Sequence, residues 1–70
     1  MIINKKIFGN NVRRIRKNEL KESQEKFAEG INKSVYTVGN IERGIVEPSL
    51  QTVLDIAEYT GRAVEELFKK

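Results

Sequence analysis

Residues Ser23–Gly44 read SQEKFAEGINKSVYTVGNIERG, and this stretch decides the fold. Phe27, Ala28 and Ile31 stand at i, i+1 and i+4, the spacing of one helix face. Val38 and Ile41 stand three apart and make a second face. Between the faces lies Gly30-Ile31-Asn32-Lys33-Ser34. Asn tolerates the left-handed conformation that commonly ends a helix, and a serine oxygen caps the first turn of the next. The spacing predicts a helix over Gln24–Ile31 capped by Ser23, and another over Val35–Arg43 ended by Gly44. Two short helices joined by about three residues make a helix-turn-helix, a unit whose second helix can enter a major groove.

On both sides of this stretch the pattern stays helical. Phe8, Val12, Ile15 and Arg16 share one stripe of a first helix expected over Ile7–Glu19, while Arg13, Arg14 and Lys17 fall away from it. Residues 1–6 are expected to form a flexible arm, and Leu20 to plug the core beneath the connection Asn18–Glu22. After Gly44 comes the linker Ile45-Val46-Glu47-Pro48, whose apolar pair is expected to cover the core. Pro48 stops a helix running through, and Ser49 can cap the next. That fourth helix, Leu50–Thr60, carries Leu50, Val53, Leu54 and Ala57 at helical spacing with Ile56 alongside, and Gly61 ends it. A fifth, Ala63–Phe68, presents Val64, Leu67 and Phe68. The expected fold is all-α, a single domain spanning residues 1–70.

Seventy residues give one small core, and such a chain buries only about 60% of its unfolded surface, so a partner subunit would help its stability. There is no Cys, hence no disulfide framework or thiolate chemistry, and no His, which removes the commonest general base and metal ligand. Without a Gly-rich phosphate loop or paired acids in a plausible cleft, an enzyme is not expected, nor a cofactor or metal. No apolar run approaches the roughly 20 residues of a membrane span, and MIINKKIF is too poor in apolar residues for a signal peptide. The expected compartment is the cytoplasm.

Charge placement says more than the net +3. Residues 1–22 hold seven basic side chains against Glu19 and Glu22, a balance of +5. Residues 23–44 are neutral, and residues 45–70 carry −2. A basic front and an acidic back suit a module with one face toward phosphate; the plainer reading is a solvated charged surface.

The words Ser23-Gln24-Glu25, Phe27-Ala28 and Ile41-Glu42-Arg43-Gly44 resemble the signature of the Cro/repressor-type helix-turn-helix family of phage and bacterial transcriptional regulators. The match continues without a gap through Pro48-Ser49-Leu50, Ile56-Ala57 and Glu65-Glu66-Leu67-Phe68. The resemblance implies a compact five-helix, lambda-repressor-like DNA-binding domain. It also implies a salt bridge between Arg16 and Glu42 tying the first helix to the third; otherwise Arg16 snorkels to water and Glu42 faces solvent. The chain departs from the family in places. Asn18–Glu22 is one residue longer than the usual spacing. Lys33 and Arg62 stand where the family has apolar plugs, Thr60 replaces a Leu, and Ala63 replaces a capping hydroxyl. Each change is worth about 0.5–2 kcal/mol if the geometry is kept, and the loops before the third and fifth helices are the places where displacement is expected.

On the third helix, Val38, Ile41 and Ser34 are expected to turn inward. Tyr36, Gly39, Asn40 and Arg43 turn outward, with Val35 and Thr37 at the margins. Asn40 is the best reader, since its amide can pair with adenine N6 and N7; its alternative is a solvated surface side chain. Val35 and Tyr36 occupy the turn where the family places base contacts, a methyl surface for thymine and a donor for backbone; each is otherwise a core-edge residue. Gly39 either lets the helix sit deep in the groove or is drift at an exposed site, at about 1 kcal/mol of helix propensity relative to Ala. Phosphate contacts are expected from Gln24, at the start of the second helix where the family uses its matching Gln, and from Lys33, Thr37 and Arg43. Ser34, at the head of the third helix, completes the expected DNA-binding set.

The function so implied is sequence-specific double-stranded DNA binding by a transcriptional regulator, a repressor on an inverted-repeat operator. The expected state is a homodimer, with Val64, Leu67 and Phe68 and nearby Tyr59 as its surface; the alternative is that they merely close the core, as Leu67 is expected to. No small-molecule ligand and no membrane partner are expected. The alternative is an antitoxin or anti-repressor module that grips another protein first and DNA second.

Overall fold

The computed structural model describes residues 4–70. Its first helix begins ahead of Ile7. Asn4 Oδ1 accepts the Ile7 N–H at 3.0 Å, and α1 runs Lys5–Arg14. Asn4 is a cap and Lys5 and Lys6 are helical, which corrects the arm expected over residues 1–6; residues 1–3 lie outside the described residues.

α1 continues beyond Arg14 as a π-helical turn, Ile15–Leu20, in which the Lys21 N–H reaches back to the Arg16 carbonyl. Lys21 is left-handed, and the Glu22 N–H bonds the same carbonyl at 3.0 Å. A π turn holds more residues than an α turn. The long connection is therefore taken up within the helix, and Leu20 packs against the core from there.

α2 spans Gln24–Gly30, with Ser23 Oγ accepting the Lys26 N–H at 3.1 Å. α3 spans Val35–Glu42, with Ser34 Oγ accepting the Thr37 N–H at 3.1 Å. α4 spans Leu50–Thr60, capped by Ser49. Helices α2 and α3 each end one residue before the expected boundary. All three close in the same way. Asn32, Gly44 and Gly61 are left-handed. The next N–H then reaches back, Lys33 to Ala28 O at 2.9 Å, Ile45 to Asn40 O at 3.1 Å and Arg62 to Ala57 O at 3.1 Å. This satisfies carbonyls that a helix end leaves orphaned. The polar Lys33 and Arg62 therefore keep the turn geometry without plugging the core. Arg62 instead pairs with Glu19 of the π turn and reaches Glu66 at 3.7 Å.

The core is Phe8, Val12 and Ile15 of the first helix, Phe27, Ala28 and Ile31, Val38 and Ile41, Val53 and Ile56, and Leu67. α1 and α3 approach closely because Gly9 has no side chain; a Cβ there would collide with the Ile41 carbonyl. Asn11, buried, donates from Nδ2 to the Leu67 and Lys69 carbonyls at 2.8 and 2.7 Å and so ties the C-terminus to α1. Tyr59 of α4 donates to the Glu22 carboxylate at 2.9 Å, with its ring edge-on to Phe27. The Glu22 hydrogen bond, then burial and the Glu22 and Glu29 charges, hold the Tyr59 hydroxyl above its ordinary pKa of 10.0.

Several C-terminal expectations change. Ile45 and Val46 are exposed rather than covering the core. On α4 the buried residues are Thr52, Val53 and Ile56, whereas Leu50 and Leu54 are 65% and 44% exposed. The fifth element is a 3-10 turn, Val64–Phe68, so the described residues hold four α-helices and not five. Ala63 offers no capping hydroxyl, but Glu66 Oε1 accepts its N–H at 3.0 Å. Leu67 is fully buried, Phe68 stacks on Phe8 at 5.0 Å, and Val64 and Tyr59 pack on the core. These side chains thus take the alternative to a dimer surface: Leu67 closes the core as expected, and Val64, Phe68 and Tyr59 pack on it half-buried. Among the described residues no helix is long and apolar enough to cross a membrane.

Candidate nucleic-acid interface

α3 is fixed from behind. Val38 and Ile41 are buried among the helices around them. At its C-terminal end Glu42 is buried against Arg16: Nε donates to Oε2 at 2.6 Å and Nη2 to Oε1 at 3.0 Å. The third guanidinium nitrogen, Nη1, donates to the Glu22 carbonyl at 2.8 Å. This two-pronged pair is the bridge expected between the first and third helices. Gln24 joins it, Nε2 donating to Glu42 Oε1 at 3.0 Å. A buried ion pair is tolerable only when its remaining polar atoms are satisfied, and among the described residues no buried side-chain polar atom lacks a partner. One network therefore holds α1, the start of α2 and the end of α3 in register.

The front of α3 is open. Tyr36 is 76% exposed and Val35 39%, with Thr37 and Asn40 half-buried and Arg43 exposed. Lys33 and Ser34 are exposed just ahead of it. Ser34 was expected inward; as the cap its hydroxyl stays at the surface, 3.0 Å from Thr37 Oγ1. Gly39 was expected outward; it is buried, and the Arg43 guanidinium lies over it. Arg43 Nη2 donates to Asn40 Oδ1 at 2.6 Å.

Beside this row a cleft of about 700 Å³ opens where α1, the head of α2 and the tail of α3 meet. Asn10 and Arg13 line it from α1, Gln24 from α2, and Gly39 and Arg43 from α3. The fold thus gathers Gln24 and Arg43 at one cleft and sets Lys33, Ser34, Val35, Tyr36 and Thr37 together at the opposite end of α3. Asn10 and Arg13 were not singled out from the sequence. The signal was the basic run Arg13-Arg14 on the outer side of the first stripe, but which element it faced was not legible.

Two short helices around a left-handed turn, the second locked behind and open in front, define a helix-turn-helix domain with the fold of DNA-binding regulators. A helix-turn-helix family model matches residues 12–67, and the chain belongs to that family. Among solved structures it is similar to the restriction-modification controller protein C.AhdI from Aeromonas hydrophila. The two are 31% identical, with 91% of this chain and 96% of that chain covered and a TM-score of 0.83. The clp gene regulator ClgR from Corynebacterium glutamicum shares the fold at 20% identity and a TM-score of 0.84, over 94% of this chain and 69% of that one. ComR from Streptococcus suis is 29% identical with a TM-score of 0.78, over 97% of this chain but 22% of that one. No curated protein matches the chain in sequence.

Proposed function

We propose that this protein is a sequence-specific double-stranded DNA-binding repressor of transcription, acting as a symmetric dimer on an inverted-repeat operator with α3 in the major groove. The observation that carries this reading is the division of α3 into a buried row, Val38 and Ile41, and an outer row in which Val35, Tyr36 and Arg43 are exposed and Asn40 is half-buried. Val35 and Tyr36 touch the first bases, Asn40 and Arg43 the next turn. Gln24 uses its second amide proton on a phosphate, and Lys33, Ser34 and Thr37 grip the backbone at the head of α3. Arg13 and Asn10 extend that grip across the cleft. A controller of restriction-modification among its relatives supports a regulatory role.

Affinity comes from two copies, since few cations line the interface. Leu50 and Leu54, one turn apart on the outer face of α4 and exposed, are the surface that supports a homodimer. The same exposed pair favours the second reading, an antitoxin or anti-repressor module that holds a different protein there. Selection from random duplex DNA with the purified chain tests both. The expected result is a two-fold symmetric site with half-sites about 34 Å apart and a salt slope below about ten ions per monomer. No enriched sequence, together with a tight heteropartner co-purifying from the native host, would contradict the repressor reading.

A further inference from the structure

We propose that Arg43, laid across Gly39 and bonded to Asn40, turns the reading face of α3 into a set of donors that selects guanine, where an unpaired Asn40 would select adenine. The inference rests on the DNA-binding reading above and names the base that reading leaves open.

The geometry begins at position 39. A Cβ built on Gly39 would stand 3.1 Å from Arg43 Nη1, 3.6 Å from Nη2 and 3.7 Å from Cζ, and these are its three nearest neighbours. The guanidinium thus fills the space that any other residue at 39 would claim. From there Nη2 donates to Asn40 Oδ1 at 2.6 Å, a charge-assisted length. A guanidinium can only donate, so the oxygen of the Asn40 amide must be the atom that faces it.

That bond changes what Asn40 can read. Pairing with adenine requires Oδ1 to accept from N6 while Nδ2 donates to N7. Here Oδ1 gives one of its two lone pairs to Arg43; an adenine N6–H approaching the other meets the guanidinium N–H donors beside it, while the Asn40 amide keeps its own donor side. The Arg43 nitrogens not bound to Asn40 are donors as well. Guanine offers two acceptors, N7 and O6, on its major-groove edge; adenine offers one acceptor and a donor, N6, which would meet another donor. Gly39 is therefore a positioning residue, and Arg43 a specificity residue acting together with Asn40.

The test is selection from random duplex DNA with the full chain and its Gly39→Ala, Arg43→Ala and Asn40→Ala variants, each checked by thermal melting. Wild type is expected to prefer guanine over adenine at one position per half-site by about five- to hundredfold. Gly39→Ala dislodges only the flexible end of Arg43, and alanine favours helix over glycine, so it should melt no lower than wild type. Its preference at that position should shift partway toward adenine, because the guanidinium has to give by only a few tenths of an ångström. Arg43→Ala should move it the same way, and Asn40→Ala should lose it. Adenine in the wild-type site at that position, or guanine retained by both Gly39→Ala and Arg43→Ala, overturns the inference while leaving DNA binding intact. A wild-type protein that enriches no sequence overturns both.

Discussion

The helix-turn-helix unit, Ser23–Gly44, and the C-terminal third, Ile45–Phe68, are built from the same materials and obey their sequence patterns differently. In the first, Phe27, Ala28, Ile31, Val38 and Ile41 all face the core, as their spacing requires. In the second, Val53 and Ile56 face the core while Leu50 and Leu54 face out. α2 and α3 each bring few apolar residues, so only one face can be inward. On α4, at 100° per residue, Leu50, Val53, Leu54, Ile56 and Ala57 span an arc of roughly 160°. That is more apolar surface than a small core can cover, and periodicity alone does not say which half is taken. The surplus half, Leu50 and Leu54, stays exposed.

That contrast can be attacked by substitution. Glu42→Ala leaves Arg16 buried without its counter-charge and also releases Gln24; it should cost about 3–5 kcal/mol in urea unfolding. The double change Arg16→Met with Glu42→Leu should restore most of that loss, because a packed apolar pair replaces a desolvated ionic one. On α4, Ile56→Ala should cost about 2–5 kcal/mol. Leu54→Ser, two residues away, should stay within about 0.5 kcal/mol in dilute protein. Equal losses at the two sites would erase the distinction between the faces of α4. Gly30→Ala places a Cβ against the Tyr59 ring, where alanine's helix preference cannot help; a loss of about 1–3 kcal/mol in thermal melting is expected. The smallest effect concerns pH. Folded Tyr59 holds its proton more tightly than the unfolded chain does. Its contribution is complete below the ordinary value of 10.0 and is lost as pH rises above that value through the folded pKa. Wild type should therefore lose stability in that alkaline range, and Tyr59→Phe should flatten the loss.

Much of this was legible beforehand for identifiable reasons. Ser23, Ser34 and Ser49 cap helices because a hydroxyl there satisfies a backbone N–H locally, whatever the tertiary fold. Asn32, Gly44 and Gly61 end helices through conformations that those residues tolerate. The Arg16–Glu42 bridge followed from the family resemblance, not from spacing. Other features depended on three-dimensional neighbours. Gly39 reads as exposed on a helical wheel, but Arg43 folds back over it. The π turn is not written in Ile15–Leu20; it absorbs a residue so that Arg16 and Leu20 both keep their inward places. Phe68 reads as a spare apolar surface until Phe8 takes it up, whereas Leu67 closes the core as expected. Asn10 and Arg13 join the candidate site only because α1 crosses beside the tail of α3.

In the proposed function the outer row of α3 is the surface that meets DNA. Backbone and side-chain amide NMR shifts, followed as a selected duplex is added, test it most directly. The largest changes are expected at Gln24 and from Ser34 to Arg43, with the Asn40 side-chain amide among them and the Leu50 and Leu54 amides little moved by DNA itself. Changes confined to α4, with Asn40 and Tyr36 unmoved at saturation, would contradict it.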